Sequence, residues 1–361
     1  MSKCTLVLMI ITIAAICSAG SVNAQIAPVQ LRCEYAVDPP AVDTPHPRLS
    51  WQLESPDKEQ IQTAYQVCVA RSEAISKEWR GDLWDSGKVD SAEQNQIEYA
   101  GAPLKSFQEC FWTVRVWDKT GSPSEWSSPA KWAMGLLNQE DWKGVWISSP
   151  DATTEASGPL PLFRKEFAVS APVRRAVLYV CGLGFHEISL NGKKVGDGEY
   201  EPGWTNYRKT CLYSTHDVTD QIKQKQNALG IMLGNGMYNV PGGRYVKFKG
   251  TFGPPKFILQ MRIEYQDGAV QEIVSDDSWK TAPGPVVFSC IYGGEDYDAQ
   301  KELPGWDSPG FDASTWKNAV TVDGPGGTLR AACIQSIKVM QTFSTVEVTP
   351  VEDAIYIRSQ E

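Results

Sequence analysis

The sequence is poor in the groups that metal and nucleophile chemistry needs. It holds three histidines, His46, His186 and His216, and their spacing pairs none of them for a transition metal. No CxxC pair occurs, so a zinc site is not expected. There is no G-x-S-x-G elbow, and Gly234-Asn235-Gly236 is too short for a phosphate loop and lacks a following Lys-Ser/Thr. Gly182-Leu183-Gly184 reads as a bulge or turn between strands, not a nucleotide fingerprint. Basic runs are missing and the net charge is −9, which argues against nucleic acid and anionic membrane surfaces as partners. Beyond the first two dozen residues no apolar run is long enough to span a bilayer. Helical periodicity is sparse; the best short candidate is 217–222, with Asp217 able to cap it.

The first segment is read as a targeting signal, residues 1–24. Lys3 supplies a positive start, 6–15 an apolar core, and Val22-Asn23-Ala24 a small-residue cleavage pattern. The mature chain is expected to begin at Gln25, exported to the periplasm or beyond and free of the membrane. Ile16 stands where a lipoprotein site at Cys17 wants a small residue. Of nine cysteines, Cys4 and Cys17 fall in this segment. The others are Cys33, Cys68, Cys110, Cys181, Cys211, Cys290 and Cys333, an odd set that leaves at least one thiol free. Cys68 and Cys181 sit in strand patterns and are read as small buried apolar residues rather than nucleophiles.

Thirty Gly, 23 Pro, 13 Trp and 13 Tyr point to an all-β, turn-rich protein with aromatic contacts. The length suffices for two domain-sized cores. Residues 25–136 read as one β-sandwich: 49–53, 64–69 and 111–117 alternate, separated by turn clusters. Trp51, Trp112 and Trp117 are read as its packing residues. After a polar linker at 138–141, a second domain spans 137–335. Its strands are expected at 162–169, 174–180, 185–190, 228–233, 256–265 and 269–274, with a turn at Asp267-Gly268. Many short strands between Gly- and Pro-rich turns favour a jelly-roll sandwich. Residues 336–361 read as the start of a further β-domain.

The most informative stretch is 177–207. Phe185 to Leu190 alternates, Asn191-Gly192 supplies a tight hairpin turn, and 193–197 returns. The loop that follows carries Tyr200, Trp204 and Tyr207 beside Asp197, Glu199 and Asn206. Flat rings cover the C–H faces of a sugar while nearby oxygens bond its hydroxyls, so this loop suits a carbohydrate surface. The competing reading is that Trp204 and Tyr207 plug the end of the core. Asn235 and Tyr238 belong to the same candidate rim.

This stretch, with LGNGMYN (233–239), GGEDYDAQ (293–300) and PGWDSPGFDASTW (304–316), resembles the N-terminal region of bacterial α-L-rhamnosidases. VDTPHPRLSWQL (42–53) and FWTVRVWDKTGSPSEWSSPA (111–130) are similar to the fibronectin-III-like module that leads many of them. The resemblance implies an inverting glycoside hydrolase whose two carboxylates belong to a helical toroid. No position here matches that motif and no long amphipathic helices are found, so no catalytic residue is carried over. The isolated chain is expected to be inactive. Asp296 and Asp298 would share a strand face about 7 Å apart, but any alternating acidic strand does so; a structural or docking role is expected there, with Gln300 where many relatives carry Arg.

Some rhamnose-binding modules similar to the second domain hold the sugar through calcium. Asp197, Glu199 and Asn206 are the candidates here, as hard oxygen ligands. The expected function is recognition of rhamnose-containing glycans by an exported rhamnosidase-like protein without its catalytic domain. The alternatives are the front portion or subunit of a working rhamnosidase, partnered with a separately encoded catalytic domain, and a spacer without ligand.

Overall fold

The structure is a computed structural model. It describes residues 26–351 and 354–359; the expected targeting segment lies outside them. Strands dominate, and among the described residues one short α-helix occurs, Glu73–Lys77, capped by Ser72.

The first sandwich pairs a sheet of Ala27–Cys33, Arg48–Glu54 and Ile97–Glu98 with a sheet of Trp84–Asp85, Ala64–Ala70, Glu109–Trp117 and Ala130–Ala133. Alternation in 111–117 puts Trp112, Val114 and Val116 inside at 0% exposure. Trp51 and Trp132 fill the same core. The buried Trp51 indole is satisfied by donating to Gln62 Oε1 at 3.0 Å, as a buried N–H must be. Trp51 and Trp112 are thus core residues as read from sequence; Trp117, read with them, is also buried but lies outside this cluster, under Lys88 and Arg115.

The second sandwich has a larger sheet ordered Val320–Thr321, Ile147–Ser148, Lys256–Tyr265, Val173–Leu183, Thr210–Asp217 and Thr328–Ala331, with Val270–Val274 also on Lys256–Tyr265. Its partner sheet runs Lys193–Lys194, His186–Leu190, Lys225–Leu233, Pro161–Val169, Lys280–Pro283 and Lys317–Asn318. Leu178, Val180, Phe163, Phe257, Ile231 and Trp279 pack between the sheets. Each such buried side chain contributes about 1.5–3 kcal/mol.

The strand Val173–Leu183 is buried on both faces from Arg175's neighbour Ala176 onward, which is why it reads as a near-continuous apolar run rather than an alternating one. One face meets the sandwich core. The other joins Ala41, Leu136, Trp142, Tyr179, Tyr207, Tyr213 and Tyr238 in a second cluster that bonds the two sandwiches. Polar ties cross the same seam: Asp43 to Arg330 at 2.6 Å and Glu109 to Arg174 at 2.9 Å.

The Asn191-Gly192 turn forms as read, with φ of 58° and 79° and Leu190 opposite Lys193. The helix expected at 217–222 shrinks to a 3-10 turn, Thr219–Gln221; Asp217 bonds the Thr219 amide at 3.0 Å. All seven cysteines among the described residues are free thiols, and all but Cys333 are buried.

Candidate functional site

One end of the second sandwich gathers four loops, at 149–160, 200–208, 234–255 and 284–297. The longest lies between the strands ending at Leu233 and starting at Lys256. It carries Tyr245, Phe248 and Phe252, and its own regular structure is limited to the short pair Asn239–Val240 with Gly250–Thr251; long loops of this kind are commonly functional.

The seven residues proposed from sequence separate here by depth. Trp204 is 62% exposed and lies parallel to Phe248, with centroids 6.1 Å apart and planes 13° apart. Tyr292 meets Phe248 edge-on at 5.6 Å. These rings form a platform with an open face. Tyr207 and Tyr238 are instead buried, at 2% and 0% exposure. They contact each other at 5.2 Å, and Tyr207 meets Phe252 at 5.1 Å. Burial pushes the Tyr207 hydroxyl up and the Tyr238 hydroxyl up to about 12, and Tyr238 donates to the Phe252 carbonyl at 3.2 Å. Asn235 is also buried. Its Nδ2 donates to the Ser289 carbonyl at 2.9 Å and its Oδ1 accepts from Asn239 at 2.8 Å. Tyr207, Tyr238 and Asn235 are therefore buried beneath the surface, whereas the sequence reading put them on the rim. Solvent cannot reach them because the 234–255 loop folds over them. The core-plug alternative holds for Tyr207 and fails for Trp204.

The three oxygen ligands considered for calcium are spent elsewhere. Asp197 pairs with Lys338 at 2.7 Å, and that hydrogen bond lowers its carboxyl below the usual range. Glu199 pairs with Lys194 at 2.6 Å. Asn206 Oδ1 accepts the Arg208 amide N–H at 3.2 Å. Among the described residues no group of three or more His, Cys, Asp or Glu side chains is gathered for a metal. No chemistry below is routed through a cation.

Glu295, Asp296 and Asp298 do not act as a pair. Asp296 bonds Arg244 through Nη1 at 2.7 Å, and Arg244 lies 4.5 Å over Phe288. Asp298 lies past the strand Gly294–Tyr297, bonds the Gln300 amide at 3.1 Å and pairs with Lys301. Glu295 accepts from Ser289 at 3.2 Å. Each carboxylate has a structural partner, as the sequence reading expected.

Sequence reasoning missed Phe248 and Tyr292. Both sit in Gly-rich runs, RYVKFKGTFG (244–253) and CIYGG (290–294). The clue was there in the Tyr, Phe and Phe spaced through a long loop after LGNGMYN.

Comparison with known proteins follows from this geometry. Residues 28–138 match the family model described as Rha78A-like, N-terminal immunoglobulin domain, and 171–341 the one described as Alpha-L-rhamnosidase N-terminal domain. The first sandwich thus answers to an immunoglobulin description where the sequence suggested fibronectin type III; both are antiparallel sandwiches. The chain is 33% identical over 348 residues to an alpha-L-rhamnosidase of Formosa agariphila, covering 89% of this chain and 36% of that protein. The structure of an alpha-L-rhamnosidase from Dictyoglumus thermophilum superposes with a TM-score of 0.82 at 37% identity, covering 91% of this chain and 38% of that one. The Streptomyces avermitilis alpha-L-rhamnosidase, solved in complex with L-rhamnose, gives a TM-score of 0.82 at 25% identity, covering 90% and 48%.

Fold and matches together define a two-sandwich chain that is similar to the N-terminal portion of α-L-rhamnosidases. The protein belongs to the α-L-rhamnosidase family and corresponds to its N-terminal portion. It spans about a third to a half of the length of these relatives, and the described residues contain no helical catalytic fold.

Proposed function

We propose that this chain recognises rhamnose-containing glycans for an α-L-rhamnosidase and cleaves none by itself. The observation that carries this reading is the Trp204–Phe248 platform, an exposed tryptophan held parallel to a second ring. Such a ring offers its face to sugar C–H groups at low ordering cost, because packing already fixes its rotamer. On the same footing, two facing sheets of short strands support a jelly-roll reading of the second sandwich. The first 24 residues alone support export.

Calorimetric titration with a rhamnose-bearing oligosaccharide tests the proposal. Trp204→Ala should retain the fold and lose most of the binding. Curves with calcium and with a chelator should coincide, because Asp197 and Glu199 already serve lysines. Full binding by Trp204→Ala would remove the platform from the site.

A second reading has its own support. Ile337, Val339, Met340 and Phe343 are 64%, 64%, 91% and 50% exposed, an apolar run that suits contact with further rhamnosidase domains. In that case the chain is the front part or a subunit of the working enzyme. An in-frame helical domain encoded downstream, or co-purification with a separately encoded one, would favour it.

A further inference from the structure

A cleft lies beside the strand Val286–Cys290, away from the Trp204 ring. We propose that the cleft between segment 149–161 and the strand Lys280–Pro283 binds a neutral 6-deoxyhexose ring. The choice of sugar rests on the rhamnosidase reading above; the cleft stands on its own geometry.

The cleft has a volume of about 370 Å³, inside the range of roughly 300–1,000 Å³ typical of small-molecule sites. Its shape is preformed. Segment 149–161 is laced to the strand Val286–Cys290: the Gly158 amide donates to Val287 at 2.9 Å, the Leu160 amide to Val286 at 2.8 Å, and the Ser289 amide to Ala156 at 3.1 Å. At the floor, buried Asn235 has both amide atoms engaged, by Ser289 and Asn239. The floor cannot swing away to meet a ligand, so little ordering cost remains to be met on binding.

Its walls divide by chemistry. Pro159, Leu160 and Pro283 give an apolar side, and Asp151, Thr153 and Glu155 give a polar one. Asp151 is neutralised by Lys317 at 2.7 Å. Glu155 has no ion pair among the described residues. Thr153 Oγ1 accepts the Glu155 amide N–H at 3.3 Å, which leaves its own hydroxyl proton free to donate. One free carboxylate beside one free donor suits a pair of neighbouring sugar hydroxyls. The apolar side suits the C–H face and the methyl that a 6-deoxy sugar carries in place of a hydroxymethyl. An anionic sugar would meet Glu155 unpaired, so uronic acids and sulfated rings are disfavoured.

Isothermal titration of the full chain with methyl α-L-rhamnopyranoside tests this. Wild type should bind two equivalents and Trp204→Ala one. Ala152→Trp, which fills the cleft from its rim, should abolish the remaining equivalent in that background. Glu155→Gln, a conservative change at an exposed position, should weaken it about tenfold, the loss of one charged hydrogen bond. Methyl α-L-mannopyranoside, which carries a hydroxymethyl in place of the methyl, should bind the cleft about tenfold more weakly. If neither Ala152→Trp nor Glu155→Gln alters the isotherm while Trp204→Ala abolishes it, the cleft is not a site and the platform stands. If Ala152→Trp abolishes binding and Trp204→Ala changes nothing, the cleft stands and the platform falls. An absence of binding by wild type overturns both.

Discussion

Giving Gly135 a side chain should harm this protein less once Tyr213 has lost its hydroxyl. Tyr213 is fully buried in the cluster that joins the two sandwiches, and its Oη accepts the Leu136 amide N–H at 3.1 Å. Gly135 lies directly against that oxygen. A Cβ on Gly135 would collide with Tyr213 Oη, while the next neighbours, Ala41 Cβ and Tyr213 Cζ, lie at 3.3 and 3.5 Å. Gly135→Ala alone should therefore cost about 1–3 kcal/mol through overpacking. Tyr213→Phe alone leaves the Leu136 amide buried without an acceptor, again about 1–3 kcal/mol. In the double variant the colliding atom is gone, and the added methyl meets only the 3.3 and 3.5 Å neighbours. The total should then sit close to Tyr213→Phe alone. The coupling is about 1–2 kcal/mol in the compensating direction, within the range seen for residues in contact.

Urea unfolding followed by tryptophan fluorescence reads this directly, because the Trp142 ring lies 5.3 Å from Tyr213. Four proteins complete the cycle. Additivity within about 0.5 kcal/mol would refute the reasoning, since it would mean that the Gly135 side chain meets something other than the hydroxyl. A Gly135→Ala variant as stable as wild type would do the same, and would place the seam between the sandwiches elsewhere.

The polar group around Glu201 sets the acid limit. Burial lowers the His186 imidazole to about 4, with Glu201 acting to raise it and His216 to lower it further. The unfolded imidazole protonates near ~6.5, so its contribution is complete above that value and is lost as pH falls toward 4, about 3 kcal/mol in all. Thermal melts of His186→Gln should show a flatter pH dependence between 6.5 and 4; an unchanged slope would count against the burial. Glu201 behaves alike at lower pH. Burial would raise its carboxyl, but hydrogen bonds from His216, Ser336 and Ser214 hold it near about 2, so its contribution is present above ~4.3 and disappears as pH falls toward 2. Glu201→Gln should make the acid slope between those values shallower, the rest coming from other lowered carboxyls such as Asp118, Asp141 and Asp276. At the far edge, Arg164 donates to the carbonyls of Trp306 at 2.8 Å, Ser308 at 3.1 Å and Phe311 at 3.3 Å. Lysine lacks that fork, so Arg164→Lys should cost about 1–3 kcal/mol and open 303–316 to protease; an uncut loop would show that Trp306 and Trp316 hold it without help.

Some strands were legible because their burial is one-sided. His186–Leu190 alternates in this way; residues 256–265 were legible as an apolar run, buried from Phe257 to Met261 and alternating only after that, and their bounds agree with the sequence reading. Val173–Leu183 was read short, from 174 to 180, because a strand buried on both faces has no alternation to mark its end. Asn191-Gly192 was legible because only a few residues take positive φ easily. The site was less legible. Period and spacing say that Trp204 and Tyr207 both leave the 200–208 loop, but not which one meets solvent. That depends on Phe252, some forty residues on, which covers Tyr207 and leaves Trp204 open. The partners of the carboxylates were not legible for a related reason. Asp197 and Glu199 find their cations at Lys338 and Lys194, and the first of these is supplied by the pairing of Gly198–Glu199 with Ile337–Lys338, a contact across the chain.

Two of the long motifs that resemble the rhamnosidases are packing motifs, and this bears on where recognition can lie. In 233–239, Leu233, Asn235, Tyr238 and Asn239 are all buried. In 304–316, Trp306, Phe311, Ala313 and Trp316 pack onto Leu162 and Met232 on the outer face of the smaller sheet. A motif of this kind specifies a scaffold, so it identifies the family without locating the ligand. The exposed rings Trp204 and Phe248 contact each other, while Tyr207 and Tyr238 are buried and meet Phe252, whose own outer side is exposed. The buried pair can change only at the expense of the fold, whereas the exposed pair can change freely. Trp204→Ala should therefore leave the unfolding midpoint within the small range of surface substitutions, while Tyr207→Ala should cost about 3–5 kcal/mol as a large-to-small core change. Any loss of sugar binding by Tyr207→Ala should follow its loss of structure and be absent from Tyr207→Phe, which keeps the ring. A binding defect in folded Tyr207→Phe would mean that the buried pair touches the sugar after all.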